Sequence, residues 1–202
     1  MRWRGIFAWL VVLVPVGADL TGCVNSGASA LRTGRSAPAA EQSVVVIQAY
    51  AAGLAQVHAA NPDVKLSLGR DPDAHNEPVL LVTYPVPTPD AAGRDVLCDA
   101  QSRDWSAGHA IAFRIKPDHA VKLSVSLLDR NRVAYTTWTE LQGGVWQPVR
   151  IAFDDLRPNP YFQPPDAKNG APIDVSQVNG IIFAPHDDTP GRLALSKFVV
   201  LE

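Results

Sequence analysis

Between Asp104 and Leu156 the chain repeats one pattern four times: an apolar-alternating run closed by turn residues. In DWSAGHAIAFRIKP, Ile111, Phe113 and Ile115 alternate with Ala112 and Arg114. In VKLSVSLLD, Val121, Leu123, Val125 and Leu127 alternate with Lys122, Ser124 and Ser126. VAYTTWTEL follows, and in GVWQPVRIAFDDL, Val149, Ile151 and Phe153 alternate with Arg150 and Ala152. Period two is the mark of strands with one buried and one wet face. Strands at roughly ten-residue spacing, divided by turns, point away from a βαβ fold. The expected fold class is all-β, an antiparallel β-sandwich.

A chain of 202 residues accommodates one such sandwich plus extensions, with a core of ordinary size. Seventeen prolines and fourteen glycines supply the many turns that a β-rich fold needs. The net charge of −2 gives no broad basic surface, so nucleic acid is not an expected partner. Two cysteines, Cys23 and Cys98, are too few for a disulfide framework.

Residues 1–22 read as a targeting segment. Arg2 and Arg4 form a positive n-region ahead of an apolar run from Ile6 to Val16. That run falls short of the roughly 20 apolar residues of a membrane-spanning helix. It ends in Leu20-Thr21-Gly22-Cys23, which looks like a bacterial lipobox. The resemblance implies a lipoprotein signal peptide over 1–22, with Cys23 becoming the acylated N-terminus. Several acyl chains on one residue hold a protein firmly on a membrane, at about 0.8 kcal/mol per buried CH₂. Val24, where an aspartate would resemble inner-membrane retention, implies the outer membrane of a Gram-negative cell envelope. Residues 23–43 are small, polar and aperiodic, as in a flexible tether.

The remaining residues, 44–202, are read as the folded domain. A first strand is expected at 44–49, then helical or irregular chain to Ala60. Short strands follow at Val64–Leu68, Leu80–Tyr84 and Arg94–Cys98. The three prolines of YPVPTP keep that segment out of any central strand. After Leu156 comes a five-proline loop, RPNPYFQPPDAKNGAPID, and then strands at Ser176–Phe183 and Leu193–Leu201.

The order of these pieces resembles the galactose-binding-like jelly rolls, in particular family 11 carbohydrate-binding modules and the complex I intermediate-associated proteins. The matching pieces are LLVTY, Asp104-Trp105-Ser106 before AIAFRIKP, and LSVSLLD with Tyr135 after it. Trp146-Gln147 then leads into VRIAFDDL, and Asp174-Val175-Ser176-Gln177-Val178 precedes GIIFAP. The resemblance implies a non-catalytic jelly roll that binds either a glycan on a sheet face or another protein during assembly. Family members often hold a structural calcium with acidic residues in the first and last strands. Here the comparable stretches, Val46 to Tyr50 and Leu195 to Phe198, offer few oxygen ligands, so no cofactor is expected.

The residues themselves suggest where a ligand would sit. If alternation places Trp138 on the wet face, the polar rows of neighbouring strands add Arg114, Lys122, Ser124, Ser126 and Arg150. Sugar rings stack on aromatic faces and their hydroxyls pair with planar, multi-donor side chains, so such a face suits a glycan. Either Tyr135 or Trp138 can be the outward aromatic, and one sequence leaves that choice open. Tyr161 and Phe162, between Pro158, Pro160, Pro164 and Pro165, form a stiff aromatic loop that either presents a contact or covers a sheet edge. Trp105 and Trp146 start strands, where an indole plugs a sandwich end. Asp71, Asp73 and His75, like His186, Asp187 and Asp188, lack recognised metal spacing and read as solvated loop charge. No GxSxG, HExxH or phosphate-cradling glycine loop occurs, so no enzyme activity is expected. The expected partner is a polysaccharide or, alternatively, an envelope protein held by the same sandwich, with the membrane reached through the lipid.

Overall fold

The four alternating runs become strands that shuttle between two sheets. They are β6 (Ala110–Pro117), β7 (Val121–Asp129), β8 (Ala134–Leu141) and β9 (Gln147–Ala152). The computed structural model describes residues 44–48, 50, 53–72, 76–87, 93–161, 163–165 and 171–202. The expected signal peptide, Cys23, the tether, Phe162, Asp73 and His75 lie outside them. The preceding strands are β1 (Val44–Gln48), β2 (Val57–Ala59), β3 (Lys65–Asp71), β4 (Glu77–Tyr84) and β5 (Val96–Arg103). After β9 come β10 (Arg157–Pro158), β11 (Val178–His186), β12 (Gly191–Leu195) and β13 (Phe198–Leu201).

All pairings are antiparallel. The first sheet runs β1-β13-β6-β12-β4-β3, with β9 on the other side of β6. The second runs β10-β8-β7-β11-β5-β2. This is the expected jelly-roll sandwich. β6 therefore lies in the first sheet, β7 and β8 in the second, and β9 back in the first. Asp118–Ala120 carries the chain across after β6, and Gln142–Trp146 carries it back. The expectation that all four runs are sheet neighbours is corrected by these two crossings.

Alternation holds strand by strand. Ile111, Phe113 and Ile115 face inward from the first sheet and Leu123, Val125 and Leu127 from the second. Phe198 joins the layers, with ring centroids 4.8 Å from Phe113 and 6.3 Å from Phe183. Each such side chain contributes roughly 1.5–3 kcal/mol by leaving water. Trp105 is buried and stacks on Phe153 at 6.4 Å, closing one end of the sandwich as expected. Cys98 is buried in β5 beside Tyr50, and burial pushes its thiol up to about 12, so it is an inert core group.

Three boundaries differ from the sequence reading. The segment before Ala60 holds a short strand, β2, paired with β5, where helical or irregular chain was expected. β5 starts later and runs on to Arg103. The last expected strand is broken into β12 and β13, which both pair with β6. At the break, Ser196 donates its N–H to the Arg114 carbonyl and takes the Arg114 N–H on its own hydroxyl. A hydroxyl substitutes for one backbone rung there, so the ladder survives the irregularity.

Candidate functional site

The outer face of the second sheet carries a groove of about 880 Å³. Strand register sets its floor. Ser124 pairs with Trp138 and Ser126 with Thr136 across β7 and β8. On the other side of β7, Lys122 pairs with His186, Ser124 with Ala184 and Ser126 with Ile182. Small hydroxyl side chains thus line the middle of the face, and taller neighbours leave them in a trench. Ser124, Ser126 and Thr136 are all buried despite facing outward.

These hydroxyls form two polar clusters. Ser126 Oγ and Thr136 Oγ1 lie 2.6 Å apart, and Asn159 Nδ2 donates to Thr136 Oγ1 at 3.1 Å. Ser124 Oγ meets His186 Nε2 at 3.0 Å. A hydroxyl bonded once keeps a further lone pair for an incoming group. Leu97, Leu128 and Ile182 add half-buried apolar surface between the polar points.

Two aromatics rise from the groove. Trp138 is 48% exposed, with His186 edge-on at 4.5 Å and Lys122 Nζ 5.0 Å from its ring centroid. Tyr161, 87% exposed, stands on the loop after β10. That loop is fastened by Gln163, whose side-chain amide donates to the Ala134 carbonyl at 2.8 Å and accepts the Ala134 N–H at 3.2 Å. A glutamine amide here copies a backbone peptide at the β8 edge. The proline-rich loop is thus fastened to that edge with Tyr161 held out into solvent.

The far end of the groove is ionisable. Desolvation holds the His186 imidazole below the ordinary histidine range; Arg94 and Lys122 act in the same sense, and Asp95 and Asp187 oppose them. Desolvation raises the Asp95 carboxyl, which His186 partly offsets. Among the described residues that line the groove, Asp95 is the sole carboxylate. Among the described residues no group of three or more His, Cys, Asp or Glu side chains is placed to share a cation.

The residues singled out from sequence divide in two. Trp138, Tyr161, Lys122, Ser124 and Ser126 come together at this groove. Tyr135, Arg114 and Arg150 do not. Tyr135 faces the core, is buried, and donates its phenol proton to the Pro172 carbonyl at 3.2 Å. Arg114 lies on the outer face of the first sheet, 5.1 Å from the Trp146 ring centroid and 3.7 Å from Asp71. Trp146 accordingly lies half-buried on that face and is not a core plug. Arg150 also belongs to the first sheet and bonds His109 at 2.8 Å. It nears Trp138 only at a notch of about 260 Å³ between β8 and β9.

Asn159, Gln163, Asp95 and His186 join the groove without having been singled out as ligand contacts from sequence. Alternation puts Thr136, two residues from Trp138, on the same face, and it lines the groove. His186 and Asp187 are not the solvated loop charge expected from sequence: His186 lines the groove and Asp187 is a structural hub. It meets Arg94 at 3.1 Å, and His119 and Tyr84 at 3.2 Å each.

No protein-family model matches the chain, and no curated protein sequence matches it significantly. Solved structures do. A family 11 carbohydrate-binding module from Clostridium thermocellum, in complex with a beta-1,3-1,4-mixed-linked tetrasaccharide, superimposes with a TM-score of 0.62 at 16% identity. That match covers 78% of this chain and 95% of the module. A family 30 carbohydrate-binding module of a Clostridium thermocellum cellulosomal cellulase gives 0.53 at 15% identity, covering 72% and 90%. The agarase AgWH50C gives 0.55 at 16% identity, over 79% of this chain but 24% of the agarase. At such identities the likeness is one of fold.

Proposed function

We propose that this chain is a non-catalytic carbohydrate-binding module whose ligand lies in the groove on the outer face of the second sheet. The observation that carries the reading is Trp138, half-exposed beside a trench of buried but outward-facing hydroxyls. A pyranose ring stacks its C–H face on an indole, and its hydroxyls exchange hydrogen bonds with serine, threonine and amide groups. The site is largely preformed, since Gln163 and Asn159 already fix its loop wall, so little ordering opposes binding. Glycoside hydrolysis generally employs two carboxyl groups roughly 5–9.5 Å apart. Asp95, the sole carboxylate among the described residues that line the groove, favours binding without cleavage. The named activity of the structural neighbours supports a glycan, and a mixed-linked β-glucan is the first ligand to try.

Titrating the purified full chain with mixed-linked β-glucan, cellulose oligomers, agarose oligomers and peptidoglycan fragments tests this reading. Saturable binding to at least one is expected. Trp138→Ala should weaken it roughly tenfold or more, as loss of a central aromatic anchor does. Tyr135→Phe should leave it unchanged, because that hydroxyl points into the core. Binding to none, or equal binding by Trp138→Ala, would sink the proposal in favour of an assembly role with an envelope protein.

The reading extends to location. We place the domain on the outer membrane of a Gram-negative envelope through a lipid on Cys23, on the strength of the LTGC motif and the tether after it. Labelled palmitate should enter the wild-type protein in cells and not Cys23→Ala.

A further inference from the structure

The outer face of the first sheet holds a second groove, of about 600 Å³, on the opposite side of the sandwich from Trp138. Its surface combines the half-buried indole of Trp146 with Leu81 and Ala194, and the hydroxyls of Ser67 and Thr83 lie beside them. Arg70, Lys116 and Arg192 surround this floor. Register places Lys116 opposite Ala194 and Arg192 two residues further along the same strand. Diagonal neighbours of that kind have side chains about 7–8 Å apart.

The groove's lining carries three cations, Arg70, Lys116 and Arg192, against two carboxylates, Asp71 and Asp118. Asp71 lies 3.7 Å from Arg114, and Asp118 lies 2.8 Å from His119 Nδ1. Arg70 donates to the Asn76 carbonyl. Among the described residues, no carboxylate forms an ion pair with Lys116 or Arg192. Asp118 stands opposite Arg192 and donates its N–H to the Arg192 carbonyl at 3.0 Å, but its carboxylate is engaged with His119, so Lys116 and Arg192, which repel each other, keep capacity for an external anion. The whole chain is net negative, so this cationic face is a local concentration and not a general property.

We propose that this face is a second binding surface, for an acidic polysaccharide whose sugar rings carry carboxylates. The strands at the centre of the groove, β4, β12 and β6, are paired on both sides, and the outer strand β3 reaches it only at the margin, through Ser67, Arg70 and Asp71. Leu81 lines the groove, with Trp146, Lys116 and Arg192 around it, so its apolar surface is framed by polar and charged groups and suits a ring-sized ligand more than a lipid bilayer. An indole, two hydroxyls and paired cations match a sugar ring with hydroxyls and a carboxylate. The proposal does not depend on the Trp138 groove.

Polygalacturonate is the probe, titrated against the full chain at low and moderate salt, with neutral mixed-linked β-glucan, poly-glutamate and anionic vesicles alongside. Polygalacturonate should bind saturably, more weakly as salt rises from 50 to 200 mM. The Lys116→Gln/Arg192→Gln pair should lose it tenfold or more while melting as the wild type does. Trp138→Ala should leave polygalacturonate binding intact, and the Gln pair should leave any β-glucan binding intact, so the two grooves succeed or fail separately. Unchanged affinity in the Gln pair would overturn the proposal. So would poly-glutamate or vesicles binding as tightly as the uronate polymer, since either would show a mere charge patch.

Discussion

Trp138 is held in place by its neighbours more than by burial. Lys122 lies over its ring and His186 meets its edge, and Ser124 in turn bonds His186. The imidazole is the titratable part of this support. Its pKa is lowered from 6.5, chiefly by desolvation, with Arg94 and Lys122 adding to the effect and Asp95 and Asp187 opposing it. In the window just below pH 6.5 the unfolded chain takes up a proton that the folded chain refuses. Stability therefore falls as pH drops through that window towards the folded pKa. Melting temperatures between pH 7.5 and 5.5 should decline less in His186→Gln than in the wild type. Asp95, whose carboxyl is raised by desolvation, acts in the opposite sense from pH 3.8 upward. A variant slope equal to or steeper than that of the wild type would remove His186 from the account.

At the scale of elements, the β11–β12 turn is joined to the start of β5 by one ion pair. Arg94 donates to Asp187 Oδ1 at 3.1 Å, to the Asp187 carbonyl at 2.6 Å and to the Thr189 carbonyl at 3.2 Å. Its guanidinium also lies 5.0 Å from the Tyr84 ring centroid. Burial acts to raise the Asp187 carboxyl, but hydrogen bonds from Arg94, Thr189 and His119 prevail and hold it below the ordinary range. Breaking a buried pair from one side leaves a charge without a partner, which costs roughly 3–5 kcal/mol. Asp187 keeps some solvent contact and other donors, so Arg94→Met should cost about 3 kcal/mol. Urea unfolding would read this as a lower midpoint at an unchanged slope. A loss under about 1 kcal/mol would show that His119 and Tyr84 suffice to hold the turn.

Across the whole molecule, period two told which side of each strand meets the core, and hence that the chain makes a sandwich. It did not tell which sheet a strand joins. That depends on the Asp118–Ala120 and Gln142–Trp146 links, whose composition is that of any turn. Arg114 and Arg150 therefore share a polar phase with Lys122 and Ser124 although both belong to the other sheet, Arg114 on its outer face and Arg150 at the notch beside Trp138. Tyr135 and Trp138 posed a different problem. They occupy opposite phases of one strand, and both phases read equally well until the fold burial of Leu127 and Val125 sets the inward row. Gln163 was illegible because its role, imitating a peptide group at a strand edge, has no sequence period at all. The arrangement of the chain ends has a mechanical meaning. Val44 in β1 pairs with Leu201 in β13, so the domain is entered and left side by side at one corner. A force separating those two points would load the rungs of that ladder one after another, as in a zipper, and never all together in shear. The domain should thus resist end-to-end traction poorly however firm its core, and β1 would be the first strand to peel away.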